Sequence, residues 1–421
     1  MISAPRGTSD ILPPDSSLWQ HIEQCARTLF QRYGYAEIRT PVFEHTELFV
    51  RSIGDTTDIV EKEMYTFPDR KGRSLTLRPE GTASVVRACL EHKLFSLGKL
   101  LKFFYAGPMF RYERPQSGRQ RQFHQIGVEL FGTSSPLADA EVIAMMVRFF
   151  EATGVRNPTV ILNTLGDTDS RSAYRAALLS FVTPHLPNLC PDCQRRAERN
   201  ILRVLDCKVP SCKAIFSSPD TPRTISSLSS SARAHYTAVR QALDALHIPY
   251  TEDPTLVRGL DYYTHTIFEV RHGALGAQDA LGGGGRYDNL VREMGGPDVP
   301  GVGFAIGVER LVMALCQASV PPTSRAPDVA LIAHDEQALR DNLVLADILR
   351  GRGLSVLTWY DLQSVKAQMR QANNAKVRWA VIQGEDERHH GLLKLKDMRV
   401  GTERLCSLDE LVTILSANLP S

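Results

Sequence analysis

The chain is short of cysteine, of long apolar runs and of net charge. Eight cysteines in 421 residues are too few for a disulfide-stapled secreted scaffold. No stretch approaches the roughly 18 consecutive apolar residues of a spanning helix, and the segment from Met1 to Gly7 has no apolar signal region. A cytoplasmic protein with no membrane partner is therefore expected. The 49 basic and 47 acidic residues give a formal charge of +2, which excludes a chain coated in basic residues but leaves room for a local basic patch. There is no fixed-period repeat and no low-complexity tract, and 43% hydrophobic with 23% charged residues excludes a disordered or collagen-like chain. What is present is length beyond the reach of one hydrophobic core, which predicts two or three domains.

Apolar residues at Leu18, Ile22, Cys25, Leu29 and Tyr33 fall at helix spacing, and Gly34 stands where a C-terminal cap belongs. A second helix is predicted from Ser135-Pro136 through Val142, Met145 and Phe149 to Gly154. Between them Leu75 and Leu77, Phe110 and Tyr112, and Ile126, Val128 and Leu130 alternate with polar residues, as strands with one covered face do. The predicted fold is α+β, an antiparallel sheet carrying helices. A mostly helical stretch from 167 to 253 interrupts this pattern and reads as an inserted subdomain. Gln317 to Pro327 has linker composition, and beyond it strands and helices alternate in βαβ fashion, which predicts a separate α/β domain. The expected division is 1–166 and 254–320 for a catalytic domain in two parts, 167–253 for the insertion, and 326–421 for the C-terminal domain.

The segment from Phe110 to Glu129 carries the strongest chemical signal. Strand period two places Arg111 and Glu113 opposite Phe110 and Tyr112, with Pro115 and Gly118 marking a turn. On the returning strand Phe123, Gln125, Gly127 and Glu129 share the face opposite Ile126, Val128 and Leu130. A hairpin is thus expected to present Arg111, Gln125 and Glu129 on one open polar surface, with Gly127 leaving room for a ligand and Arg114, Arg119 and Arg121 crowding the loop. Upstream, Pro79 ends a strand and sets Glu80 and Thr82 around Gly81, where a carboxylate and a hydroxyl suit an ammonium. Downstream, Tyr262 and Tyr263 are read as neighbours in one strand facing opposite ways.

Two glycine-rich segments exclude what they first suggest. Gly282 to Asp288 lacks the Gly-Lys-Ser or Gly-Lys-Thr of a phosphate loop, and Gly301 to Gly307 has one residue too many for a dinucleotide fingerprint. These glycines are expected to let strands or a flat ligand pack closely, with Arg310 fixed beside them at the start of a helix. Cys190, Cys193, Cys207 and Cys212 have a spacing that suits tetrahedral zinc or belongs to spare thiols.

Together these segments resemble the histidyl-tRNA synthetase family of class II aminoacyl-tRNA synthetases, bacterial type. The resemblance rests on Arg6-Gly7-Thr8, Asp10 to Pro13, the dimer motif around Arg39 to Pro41, the segments Phe110 to Glu129 and Gly301 to Arg310, and the signature Arg258 to Tyr263 followed by Gly282 to Asp288. It implies a histidine–tRNA ligase that activates L-histidine with ATP, magnesium entering with the nucleotide, and passes it to the 3′-terminal adenosine of its tRNA. It also implies a homodimer and an anticodon-binding role for 326–421. Histidine binding falls to Glu80, Thr82, Gln125 and Glu129 around the α-amino group, and to Tyr262, Tyr263 and Tyr287 near the imidazole. Arg111 and Arg258 are the catalytic contacts to α-phosphate and carboxylate. ATP is further held by Arg119 and Arg310, with Phe123 stacking on adenine, and the tRNA acceptor stem meets Arg114, Gln116 and Arg121. No residue is assigned as a metal ligand, since the family does not need the four cysteines. The competing expectations are a regulatory paralogue from histidine biosynthesis that binds histidine without charging tRNA, and a class II synthetase for another amino acid; the Arg258 to Tyr263 signature stands against both.

Overall fold

The computed structural model describes residues 2–55, 57–98, 100–116, 118–273, 279–318 and 326–417. The chain divides into two compact units, 1–323 and 324–421. Most of the linker-like stretch 317–327 lies outside the described residues, and no helix among the described residues is long and apolar enough to cross a membrane.

The first unit is built on an eight-stranded sheet. Its strands, with the three of a smaller sheet between them in sequence, are β1 (Ala36–Glu37), β2 (Phe43–His45), β3 (Tyr65–Pro68), β4 (Ser74–Leu77), β5 (Leu101–Phe110), β6 (Gln122–Phe131), β7 (Thr159–Thr164), β8 (Tyr250–Glu252), β9 (Thr264–Arg271), β10 (Ala280–Arg286) and β11 (Gly301–Gly307). The large sheet runs β1-β5-β6-β11-β10-β9-β7-β8, and the small one β2-β4-β3. All neighbours in the large sheet are antiparallel except β1 with β5 and β7 with β8 at its two edges. Helices Asp15–Arg32, Pro136–Thr153, Ser230–Ala245 and Val308–Gln317 cover one face, burying Ile22, Phe30, Met145, Val239 and Leu311 against Ile126, Val128, Phe268 and Phe304. The first two are the helices read from spacing: Ser135 caps the second by accepting from the Leu137 amide, and Gly154 ends it with φ +99°.

Three local expectations are corrected. β5 ends at Phe110, so Tyr112 is not a strand residue; its amide bonds the Glu63 carbonyl instead, and its ring is half exposed. Tyr262 and Tyr263 precede β9 rather than alternating within it. Residues 167–253 do not pack as one body: Tyr174, Leu178, Cys193, Val204, Cys212 and Phe216 share a small core of their own, whereas the Ser230–Ala245 helix and β8 belong to the main layer and sheet.

The second unit carries β12 (Val329–Ala333), β13 (Val356–Leu357), β14 (Trp379–Gln383), β15 (Leu393–Asp397) and β16 (Glu403–Cys406) in the order β13-β12-β14-β15-β16. The first three are parallel, as the βαβ reading requires, β13 being only two residues long. β15 and β16 add an antiparallel edge absent from that reading. Their Lys394 and Lys396 alternate with apolar residues over too short a run to stand out from a loop.

The first unit is pinned internally by Arg286 at the end of β10. Its guanidinium, like the Asp139 carboxylate it meets, has no solvent exposure, and it also donates to Asp288 and to the Thr133 and Ser135 carbonyls. The second Asp139 oxygen accepts from Thr266 at 2.6 Å and meets His235 at 2.8 Å. Removing one partner of such a pair leaves a buried charge uncompensated, so Asp139→Asn is expected to lower stability by about 3–5 kcal/mol in urea unfolding. A loss below about 1 kcal/mol, the scale of an exposed pair, would contradict this role.

Candidate active site

Strand period sets the floor of the site. With Ile126, Val128 and Leu130 committed to the helix-covered core, Phe123, Gln125 and Glu129 of β6 face the other way and line a cavity of about 580 Å³. The surface predicted to be open is a partly covered cavity, in which Glu129 is 1% exposed. Gly127 gives its room not to a ligand but to Tyr105, its cross-strand neighbour on β5: a Cβ at Gly127 would lie 2.4 Å from the Tyr105 ring, and one at Gly81 would lie 2.3 Å from it. Tyr105 therefore stands between Gln125 and Glu129, whose Cα atoms strand rise already separates by about 13 Å.

The Glu129 end is aromatic and hydroxylated. One carboxylate oxygen accepts from Thr82 Oγ1 at 2.7 Å, and the other accepts from the Tyr287 hydroxyl. Gly303 on β11 makes the second bond possible, since a Cβ there would lie 2.4 Å from Glu129 Oε2 and 3.0 Å from the Tyr287 hydroxyl. Tyr262, Tyr263 and Tyr287 are all buried and all line the cavity, with ring centroids 4.7 Å and 5.6 Å apart for the Tyr262–Tyr263 and Tyr262–Tyr287 pairs. Burial pushes the Glu129 carboxyl up to about 8 although both hydrogen bonds oppose it, and pushes the Tyr287 and Tyr262 phenols well above their ordinary range. Beside them the Glu80 carboxylate accepts from the Thr82 and Ala83 amides at 2.7 and 2.8 Å, holding the start of the Thr82–Glu91 helix while still lining the cavity. Gln125 Oε1 is buried and accepts no hydrogen bond.

The rest of the lining is cationic and meets the tyrosines at Arg258, which lies against Tyr263. Arg111, Arg119, Arg258 and Arg310 all line the cavity. Arg111 lies over the Phe123 ring at 5.2 Å and donates to the Pro79 carbonyl at 2.9 Å. Glu113 stands between Arg111 at 3.9 Å and Arg119 at 3.1 Å. Arg258 meets Glu269 at 2.5 Å, and Glu269 also holds Arg271 at 3.0 Å. Arg310 donates to the Ala280 carbonyl at 2.8 Å. Four cations within one cavity repel one another, and these carboxylates and carbonyls hold them in place before any ligand arrives.

The expected residues Glu80, Thr82, Arg111, Arg119, Phe123, Gln125, Glu129, Arg258, Tyr262, Tyr263, Tyr287 and Arg310 are thus brought to one cavity. Arg114 and Gln116 are exposed and outside it, and the Arg121 guanidinium lies 4.1 Å over the Tyr112 ring. Phe123 is itself stacked by Arg111. Tyr105, Glu113, Glu269 and Arg271 were not anticipated. Glu269 had a signal in the alternation Thr266 to Val270, where it opposes the core residues Phe268 and Val270; Tyr105 had none short of the β5–β6 register.

An antiparallel sheet with helices on one face and, on the other, arginines facing an acidic, tyrosine-lined end is the catalytic body of a class II aminoacyl-tRNA synthetase. The family model for histidyl-tRNA synthetase matches residues 7–311, and an anticodon-binding domain model matches 328–418. The histidine–tRNA ligase of Halothermothrix orenii is 48% identical over 99% of this chain and 98% of its own, and that of Halalkalibacterium halodurans is 49% identical over 98% and 97%. The apo histidyl-tRNA synthetase of S. aureus superposes with a TM-score of 0.84 at 38% identity, covering 99% of this chain and all of that one. The chain belongs to the histidyl-tRNA synthetase family.

The raised Glu129 group gives a pH test with a defined sign. Its value of about 8 in the folded chain lies above the ordinary 4.5 expected on unfolding, so its burial costs nothing below about pH 4.5 and costs progressively more as pH rises towards 8. Glu129→Gln is therefore expected to gain stability relative to the parent chain across that window in urea unfolding. Parallel pH profiles for the two proteins would contradict the assignment.

Proposed function

We propose that the protein activates L-histidine with ATP to histidyl-adenylate and transfers it to the 3′-terminal adenosine of its tRNA. The observation that carries this reading is one cavity lined by four arginines and by the Glu129–Tyr287 pair with Tyr262 and Tyr263, the two sets meeting where Arg258 lies against Tyr263. The aromatic end suits an imidazole: Glu129 accepts from a ring N–H, and a nearby phenol meets the second ring nitrogen. The α-ammonium then belongs with Glu80, Thr82 and the unpartnered Gln125 carbonyl. The separation of Gln125 from Glu129 by Tyr105 and the strand rise supports giving the ammonium to Glu80, Thr82 and Gln125, where all four residues were first expected to share it.

In this arrangement the histidine carboxylate points to the arginines. One of its oxygens attacks the α-phosphorus of ATP in line, a P–O bond forms, and the bond to pyrophosphate breaks. Arg111 and Arg258 stabilise the charge that grows on the α-phosphate and carboxylate oxygens, while Arg119 and Arg310 hold the outer phosphates and Phe123 supports the adenine. Magnesium bound with ATP would offset phosphate charge, and the carboxylates that line the cavity, Glu113, Glu269, Glu309 and Asp279 among them, would supply its oxygen donors. Arg114, Gln116 and Arg121 on the loop outside the cavity meet the acceptor stem, and the 328–418 domain meets the anticodon. A cytoplasmic homodimer completes the reading. It is supported by the exposed Val42 and Phe43 next to the Arg39–Pro41 motif, which the buried Arg78 ties to β5 through the Thr40 and Pro108 carbonyls at 3.0 and 2.9 Å. Sedimentation of the free protein at twice the chain mass checks the dimer, and sedimentation as a monomer refutes it.

Histidine-dependent exchange of pyrophosphate into ATP tests the activity. Exchange that requires histidine is expected, with Arg258→Ala reducing its rate by about 10²-fold or more, the usual loss for one transition-state charge contact. Histidine binding with no exchange would instead establish a regulatory, non-catalytic protein. An Arg258→Ala effect confined to tRNA affinity would remove Arg258 from the chemistry.

A further inference from the structure

The helical subdomain beside the cavity contains a group of side chains that the reaction does not use. Cys190, Cys193, Cys207 and Cys212 place their four sulfurs within 4.8 Å of one another, with the Cys190 and Cys207 sulfurs 3.8 Å apart. Cys193 and Cys212 have no solvent exposure, and Cys190 and Cys207 are half-buried. The local chain explains the convergence. Cys190 caps the Pro191–Arg199 helix and Cys193 sits in its first turn; Cys207 ends the short helix Ile201–Asp206, and Cys212 lies in the first turn of Pro210–Phe216. Proline at the first position of both α-helices fixes where each turn begins, so each cysteine pair is presented from one knuckle.

We propose that these four thiolates bind one structural zinc ion. Zn–S bonds of about 2.3 Å in a tetrahedron require sulfurs about 3.8 Å apart, which the Cys190–Cys207 pair already shows and which the other pairs reach by moving less than about 1 Å. A disulfide would need about 2.05 Å, and all four cysteines are free. The Cys190 amide donates to Cys212 Sγ at 3.2 Å, an outer hydrogen bond of the kind that steadies a thiolate ligand. Four protein ligands leave no open position, so the site is structural and not catalytic.

The subdomain has reason to need such a staple. The helices that carry the cysteines, of nine, six and seven residues, are too short to persist alone, and the core they share is small. The ion also reaches the active site through the chain: Leu205, Asp206 and Lys208, flanking Cys207, line the cavity. Arg203 donates to the Arg258 carbonyl at 3.4 Å, Asn200 to Asp261 at 2.9 Å, and Arg199 meets Glu61 at 2.8 Å. The zinc would thus fix one wall of the substrate cavity, including the backbone that carries Arg258.

Elemental analysis of the full chain, grown in zinc-supplemented medium and purified without chelator, is expected to find one zinc per chain. Cys190→Ser with Cys207→Ser, at the two half-buried positions, is expected to abolish it. Because that variant can fail to fold, the parent protein supplies a second measurement. Titration with a mercurial is expected to release one zinc in step with four of the eight thiols, and cobalt substitution is expected to give the thiolate charge-transfer and visible bands of a tetrahedral tetrathiolate site. Parent protein with no more metal than the double variant would overturn the proposal. So would a non-reducing mass showing these cysteines oxidised to disulfides.

Discussion

Arg286 and Asp139 meet where neither has any contact with solvent, and the geometry of the catalytic sheet is set around them. Taking both charges out of water costs several kcal/mol each, and the cost is offset only if every remaining donor and acceptor finds a partner. Here each does: Arg286 uses Asp139, Asp288 and two carbonyls, and Asp139 uses Thr266 and His235. The network joins β10, β9 and the helices Pro136–Thr153 and Ser230–Ala245. The next residue along the chain is Tyr287, which turns to the opposite face and reaches Glu129. The buried pair on the helix side therefore fixes where the phenol stands on the cavity side.

From that anchor the two ends of the cavity follow. The Glu129 end is the more buried, and burial raises its carboxyl towards the neutral form. The arginine end is the reverse, with Arg111, Arg119 and Arg258 balanced by Glu113 and Glu269 until a more highly charged group displaces them. On the proposed reading, an amino acid with a polar aromatic side chain lies along the cavity with its ring towards Glu129 and its carboxylate towards the arginines. Orientation of this kind is where most of the rate in a phosphoryl or adenylyl transfer originates.

Residues that act through local periodicity were legible in the sequence. Gln125 and Glu129 follow from period two on a strand whose other face is apolar, and Arg111 from its place at the mouth of the same hairpin. Residues whose role depends on register or on distant pairing were not. Tyr105 matters because β5 pairs it with Gly127, and no spacing within either strand announces that contact. Tyr262 and Tyr263 were misplaced because Leu256 to Val270 contains enough β-formers to read as one strand, whereas the first part turns and only Thr264–Arg271 pairs. Net charge was equally uninformative. The near balance over the whole chain conceals five cations, Lys102, Arg111, Arg114, Arg119 and Arg121, against the single acid Glu113 between Lys102 and Gln122.

The central claim is the direction in which histidine lies. A crystal structure with a non-hydrolysable histidyl-adenylate analogue tests it most directly. The account predicts the imidazole within hydrogen-bond distance of Glu129, the ammonium at Glu80, Thr82 and Gln125, and the phosphate mimic between Arg111 and Arg258. An imidazole lying among the arginines, or an ammonium at Glu129, would contradict it.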